Sequence, residues 1–330
     1  MIKSIRKATD DEWDHMVDAV ESTIYFQTRE WFEIWANYAG FEIDTKLIHF
    51  DNGKKVLLPI THINLFKGLV KVNFLAPKGM GGFVTKDELN VSEKRELFRL
   101  LKRIGIVYFA ANPYDTLSNE FNKFNSNDTT HVLDLREGFE PIFKKWSDGH
   151  HRAAAKGIRK GVTVDVASTD DDWSTYYQLY RCSVANWGEK ATNSYNSRLF
   201  DIMKNKRSEK IKLWVARYQG QIISGAICLY HNRHVAAWNG ATDRQFLKLN
   251  GPHMVLHFSI RDAAEKGFMF YDLLPSGGHN GVVKFKDGFG APQMPVNIYL
   301  SPSLRLADVV RSSFRNNFIY KRMMRNSGFE

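Results

Sequence analysis

The sequence predicts an α+β chain made of two units with the same plan. In each half, a strand–turn–strand pattern is followed by an amphipathic helix, a glycine that stops the helix, and a closing apolar strand. The spacing repeats as well: 52 residues separate Gly53 from Gly105, and 47 separate Gly220 from Gly267. A length of 330 residues suits two domains at roughly 100–200 residues each, and 43% hydrophobic with 25% charged residues is ordinary globular composition.

In the first half, Thr9-Asp10-Asp11-Glu12 is a Thr-x-x-Glu capping box, and its acids suit the positive end of the helix dipole. Trp13, Met16, Val17 and Val20 follow at helical spacing, and a second helix is expected from about Arg29 to Tyr38, before Gly40. Thr45–Phe50 and Val56–Leu58 flank Asp51-Asn52-Gly53, a hairpin signal. Val70–Leu75 reads as a strand and leads to the glycine-rich turn Pro77–Gly82. Leu97, Leu101 and Ile104 share one helix face that ends at Gly105, and Ile106–Ala111 reads as a buried strand.

The second half opens with a helix between Pro141 and Gly161. It sets Arg152, Lys156 and Arg159/Lys160 at i, i+4 and i+7/i+8, so one face is wholly basic. Val162, Val164 and Val166 alternate as in a strand. Lys212–Tyr218, Ile222–Tyr230 and Val235–Trp238 read as a meander with turns at Gln219-Gly220 and Asn232-Arg233. A helix after Pro252 places Leu256, Ile260 and Ala263-Ala264 on one face and ends at Gly267, and Phe268–Leu273 follows as the closing strand.

Charge divides unevenly. Residues 1–150 hold 20 Lys and Arg against 22 Asp and Glu, whereas residues 151–330 hold 26 against 14, so the whole excess of the +10 net charge lies in the second half. Such a field suits an anionic partner: nucleic acid, nucleotide phosphates or a membrane surface. The longest nearly uncharged apolar run is Ile222–Tyr230, far short of the ~20 residues a bilayer span needs. Met1–Lys7 has no apolar signal-peptide core. Cys182 and Cys228 offer neither a disulfide framework nor CxxC metal spacing, so no metal site is expected and a reducing cytoplasm fits best.

The most distinctive segment is Asp272-Leu-Leu-Pro-Ser-Gly-Gly-His-Asn-Gly-Val-Val-Lys-Phe-Lys-Asp-Gly-Phe-Gly290. A strand ending in Asp, a Pro-Ser-Gly loop and a Phe-Lys-x-Gly-Phe-Gly run resemble the FemABX-type aminoacyltransferases and the cellulose-biosynthesis-type acyltransferases of the tandem GNAT-like superfamily. Tyr25-Phe26-Gln27 with Trp31, the Pro77…Gly81-Gly82 turn, and Arg152…Arg159-Lys160-Gly161-Val162 agree with it in order along the chain.

The resemblance implies two GNAT-like domains side by side, residues 1–140 and 141–304, with a C-terminal helix at 305–330 packing back on the first. It implies acyl transfer to the amine of a cell-envelope, sugar or natural-product precursor, with aminoacyl-tRNA or acyl-CoA as co-substrate and no permanently bound cofactor. In that family the lysine of the Phe-Lys motif lies near the donor, which makes Lys286 the first catalytic candidate, placed to neutralise an oxyanion or a terminal phosphate. Asp272 either accepts the amine proton or positions the Pro275–Asn280 loop. Arg152, Lys156, Phe285 and the helix start at Gly251 are donor-side candidates. Trp31, Trp35, Trp187, Trp238 and Gly81 are acceptor-side candidates. His279 and Asn280 are polar groups in a glycine-bounded loop.

The Arg/Gln-x-x-Gly-x-Gly/Ala loop usual for acyl-CoA in GNAT proteins is not reproduced in Gln245–Gly251, which favours an RNA-borne donor. Arg305–Glu330 combines six basic residues with an apolar stripe, which suits docking on the protein, RNA binding or contact with an anionic membrane surface. Two other classes stay open at this point. One is a non-catalytic GNAT-like module that binds tRNA or a nucleotide sugar, and the other is a nucleic-acid-binding regulator suggested by charge alone.

Overall fold

A computed structural model describes residues 1–65, 70–121, 123–188 and 193–301. The tail 305–330 therefore lies outside the described residues. The described residues divide into two compact units, Met1–Asp128 with Pro295–Ser301, and Thr129–Met294.

The first unit starts with β1 (Ile2–Lys7) and the helices α1 (Asp10–Ala19) and α2 (Arg29–Ala39). The capping box forms as written: Thr9 accepts from the Glu12 N–H, and Glu12 returns to the Thr9 N–H. Gly40 ends α2 in the left-handed region at φ 71°. Strands β2 (Glu42–Ile43), β3 (Lys46–Phe50), β4 (Lys55–Leu58), β5 (Thr61–Leu65) and β6 (Val70–Phe74) come next. Helix α3 (Val91–Arg103) then connects to β7 (Ile106–Ala110), and α4 (Thr116–Asn119) follows.

β3 and β4 form the hairpin around Gly53, but they pair with β1 in a separate three-stranded sheet. The meander that feeds α3 is β5–β6, and β6 pairs in parallel with β7 across that helix. The hairpins at Gly53 and Gly220 are thus not equivalent turns, although the meander–helix–parallel-strand order recurs. Leu97 and Leu101 of α3 are fully buried with Val107 and Phe109 of β7.

The second unit contains β8 (Ser126–Asp134), α5 (Phe139–Lys144), α6 (Asp148–Arg159), β9 (Thr163–Val166), α7 (Asp170–Trp187) and α8 (Ser197–Asn205). The meander β10 (Ile211–Tyr218), β11 (Gln221–His231) and β12 (His234–Thr242) leads through a 3-10 turn at Arg244–Leu249 into α9 (Gly251–Glu265) and β13 (Phe270–Asp272). Helix α10 (Asn280–Asp287) follows, and β14 (Gln293–Leu300) returns to the first unit to pair with β7. Strand order in the second unit is β8-β13-β12-β11-β10-β9. Met254, Val255, Ile260 and Ala263 of α9 fill the core against Cys228, Val235 and Tyr271 of the sheet.

Two expectations are corrected here. Asn280, expected in a loop, opens a helix over Asn280–Asp287, in which Val282 and Phe285 turn inward while Lys284 stays exposed. The basic segment is split into α5 and α6 by Ser147, which caps α6. Ala154 and Gly157 are the buried face of α6, and Arg152, Lys156, Arg159 and Lys160 are exposed.

Gly81 belongs to the architecture rather than to a binding surface. Its N–H donates to Ala110 O (2.8 Å), its carbonyl accepts from Asn112 N (2.7 Å), and a Cβ there would overlap the Leu75 carbonyl oxygen. Gly81→Ala should therefore destabilise the first unit by about 1–3 kcal/mol, read as a lower urea midpoint with an unchanged slope.

Candidate functional site

β12 and β13 pair in parallel only at His234, Val235 and Ala236 with Phe270, Tyr271 and Asp272. Beyond Ala236, β12 runs on to Thr242, while the other chain turns away at Leu273. Among the described residues no strand pairs with β12 on that side beyond Ala236, and Thr242 N–H donates to Ser183 Oγ at 3.4 Å. The gap beside β12 is a cavity of about 330 Å³. Its other walls come from Gly225 and Ala226 of β11, Pro252 and Val255 of α9, Leu273–Pro275, and Val282, Phe285 and Lys286 of α10.

The ladder between β11 and β12 slips at the same place. Cys228 faces Ala237 and Ile227 faces Asn239, so Trp238 is an extra residue, a β-bulge. Bulges re-aim a side chain and sharpen local twist. Trp238 borders the cavity just described and also a second one of about 250 Å³. Tyr180, Ser183 and Trp187 of α7, together with Asn193, Tyr195, Ser276 and His279, line that second cavity. The two share Trp238–Gly240, Pro275 and Val282.

The loop between them is held at one strained residue. Leu274 has φ 59°, a conformation that costs a side-chain-bearing residue roughly 1–3 kcal/mol. Asp272 Oδ1 accepts its N–H at 2.7 Å, and Lys286 Nζ donates to its carbonyl at 2.5 Å. Thr130 Oγ1 also donates to Asp272 Oδ1. Asp272 is 3% exposed and lines neither cavity. Of its two anticipated roles, loop positioning is the one its bonds perform, and proton acceptance is set aside. Lys286 is buried at the base of the first cavity, with its side chain tied to the loop.

Behind α10 stands a wall of rings. His150 Nε2 bonds the Phe285 carbonyl oxygen at 2.9 Å, and its ring lies 4.6 Å from His253 and 4.4 Å from Phe289. His257 packs 5.7 Å from Trp146. Burial, then the nearby His150, pushes His253 down to about 4, and burial, then Arg261, does the same to His257. Burial lowers His150 as well, against the Phe285 carbonyl.

The remaining anticipated residues separate into two sets. Phe285, Lys286, Trp187 and Trp238 border the cavities. Trp31 and Trp35 do not: both are 0% exposed, edge to face at 5.7 Å in the first unit's core, and Trp31 Nε1 donates to Pro77 O. Their acceptor-binding assignment is withdrawn, since no ring face is left for a ligand. Gly251 packs on Ser224, where a Cβ would stand 2.6 Å from the serine Cβ, and its neighbour Pro252 reaches the cavity instead. Arg152 and Lys156 sit exposed on α6, which packs on α9, and Asn250 Nδ2 donates to Ala153 O at 3.2 Å. Among the described residues, no three His, Cys, Asp or Glu side chains gather as a metal site, and no helix is long and apolar enough to cross a membrane.

Residues 148–286 match the family of GNAT acetyltransferase domains. FemX, at 12% identity, superposes with a TM-score of 0.69 over 93% of this chain and 99% of its own. The similarity to GNAT acetyltransferase domains thus lies in residues 148–286, and the fold of most of the chain is similar to that of FemX. The chain's fold is also similar to that of L-PGS from Bacillus licheniformis, at 11% identity and a TM-score of 0.56 over 93% of this chain and 97% of that one. A conserved protein of unknown function from Bacteroides thetaiotaomicron gives 10% and 0.56 over 91% and 100%. No curated protein matches the sequence. The fold class is α+β with two GNAT-like units, and the protein is an acyltransferase of the N-acyl-transferring kind.

The histidine wall gives this site a pH dependence. With His253 and His257 at about 4 in the fold, against 6.5 ordinarily, the fold retains the neutral rings. Their contribution to stability is complete above about pH 6.5 and is lost as pH falls towards about 4. The melting temperature should decline over that interval, and His253→Gln/His257→Gln should decline less steeply across it.

Proposed function

We propose that the second unit forms an amide by moving an acyl group from a coenzyme A thioester to a primary amine. The observation that carries this reading is the meeting of two cavities at the bulged Trp238, one along the open strand edge and one ringed by aromatic side chains. GNAT domains use acyl-CoA as co-substrate, and the match to that family supports a thioester donor. The pantetheine-like arm, itself rich in amides, lies along β12 on the side where β13 diverges from it. α9 presents its N-terminal turn beside it at Pro252.

The amine, in its neutral form, attacks the thioester carbon from the aromatic side. Main-chain N–H groups of Ala237–Gly240 stabilise the developing oxyanion. A C–N bond forms and the C–S bond breaks. The amine's surplus proton passes to His279 at the rim, and the departing thiolate takes a proton from water. Holding both reactants across one shared wall supplies much of the rate by proximity. Lys286 and Asp272 act by fixing Leu274, and so the wall itself.

A second donor is favoured by a specific feature. The exposed basic face of α6, with Arg152, Lys156, Arg159 and Lys160, suits an aminoacyl-tRNA ester, as does the missing CoA-type glycine loop. We assign the acceptor to a cell-envelope, sugar or natural-product amine.

Incubating the protein with charged tRNAs and a panel of acyl-CoA thioesters, then measuring by mass spectrometry which is consumed, separates the donors. Consumption of neither in the presence of amines would refute the reading. Lys286→Ala should lower turnover more than tenfold while the far-ultraviolet spectrum stays native, and His279→Gln should lower kcat with little change in KM.

A further inference from the structure

We infer that the acceptor is a neutral amino sugar, seated on the aromatic wall between α7 and the bulge of β12. This rests on the reading of the second unit as an amide-forming acyltransferase. The wall is a ladder of near-parallel rings: Tyr195 stacks on Tyr180 at 6.3 Å and 11°, and on Trp238 at 5.7 Å and 20°. Trp187, 44% exposed, stands opposite at the end of α7, with its ring 4.7 Å from that of His279. Tyr180 and Tyr195 are buried and back the half-buried Trp238, which with the exposed Trp187 takes up the C–H face of a pyranose, apolar in its centre and polar at its edge.

The polar groups match the edge. Asn193, Asn239, Ser183 and Ser276 offer amides and hydroxyls around the rings. Ser276 is the telling one. It is buried, borders the cavity, and its hydroxyl has no hydrogen-bond partner among the described residues. A buried hydroxyl left unmet is costly, and a sugar hydroxyl meets it.

Charge argues in the same direction. Among the described residues lining this cavity there is no Asp, Glu, Lys or Arg. An amino acid, a peptide with its carboxylate, or a polyamine would bring a charge that none of these described lining residues offsets, which a partly desolvated site disfavours. Lys286, which borders the adjoining cavity, is already committed to the Leu274 carbonyl. A volume of about 250 Å³ is below the ~300–1,000 Å³ of sites for larger ligands and suits one ring. The chemistry of the amine fits too. Neighbouring C–O bonds draw electrons from an amino-sugar nitrogen, so more of it is neutral near pH 7 than of an alkylamine, and no carboxylate base is required.

The test offers a methyl glycoside of glucosamine, a dipeptide and an aliphatic diamine at equal concentration, each with an acyl-CoA panel and charged tRNAs. Donor consumption is followed alongside saturation-transfer NMR of each amine. The sugar should be acylated with at least tenfold higher kcat/KM than the others. It should show saturation transfer that Trp238→Ala abolishes and Trp238→Phe retains, and Ser276→Ala should raise its KM several-fold with kcat little changed. Transfer to the dipeptide or diamine in preference to the sugar would overturn the inference and leave the acyltransferase reading standing. Saturation of the sugar alone, with no donor consumed, would sustain the sugar site and defeat the reaction. Absence of both transfer and saturation for the sugar overturns the inference.

Discussion

The grip on Leu274 is the constraint on which the site depends. A leucine in the left-handed region is unfavourable alone, and it persists here because both faces of its peptide environment are held, the N–H by Asp272 and the carbonyl by Lys286. That hold turns the chain sharply at the end of β13, away from β12, and so keeps the two strands apart. Without the turn, β13 would continue alongside β12 and close the cavity with ordinary ladder bonds. Both residues of the distinctive motif are therefore explained by backbone geometry before any chemistry is considered.

Support for the grip comes from the opposite side of α10. The helix that carries Lys286 is short, eight residues, and too short to be stable by itself. It is held by Phe285 and the adjacent Phe289 in the histidine and tryptophan wall, and by Asp287, which His131 Nε2 meets at 3.0 Å from the buried side. The apolar rings give the helix its position, and the neutral histidines keep that packing free of charge repulsion. Local stability at the site is thus set largely by groups outside both cavities, Phe289, His131 and the histidine and tryptophan wall, with Phe285 bridging the two.

Much of the fold was legible in the sequence because its punctuation is strong. Thr9, Gly40, Gly53, Gly161 and Gly267 mark starts, turns and stops by local geometry alone, and apolar spacing located α3 and α9. The expected third strand of the meander, ending at Trp238, stops where the period-2 pattern breaks. The bulge reverses which face the following side chains take, so the run to Thr242 does not read as a continuation. Lys286 was found through its motif, but its partner Leu274 was not, since nothing in a leucine announces a positive φ. Trp31 and Trp35 show the opposite failure: residue type suggested a ligand face, and only burial reveals that they fill the core. Tyr195 had no signal at all and Ser276 was marked only as part of the Pro-Ser-Gly loop, because their importance comes from neighbours distant in sequence.

The distribution of indoles has a spectroscopic consequence. Of eight tryptophans, Trp13, Trp31, Trp35, Trp146 and Trp214 are buried, whereas Trp187 is the most solvent-open and, with Trp238, borders the aromatic cavity. Red-shifted, readily quenched emission will come mainly from Trp187, over a blue background from the buried rings. The fluorescence of the unlabelled protein thus contains a built-in gauge of whether that cavity is filled, and acrylamide or iodide reads it without altering a residue.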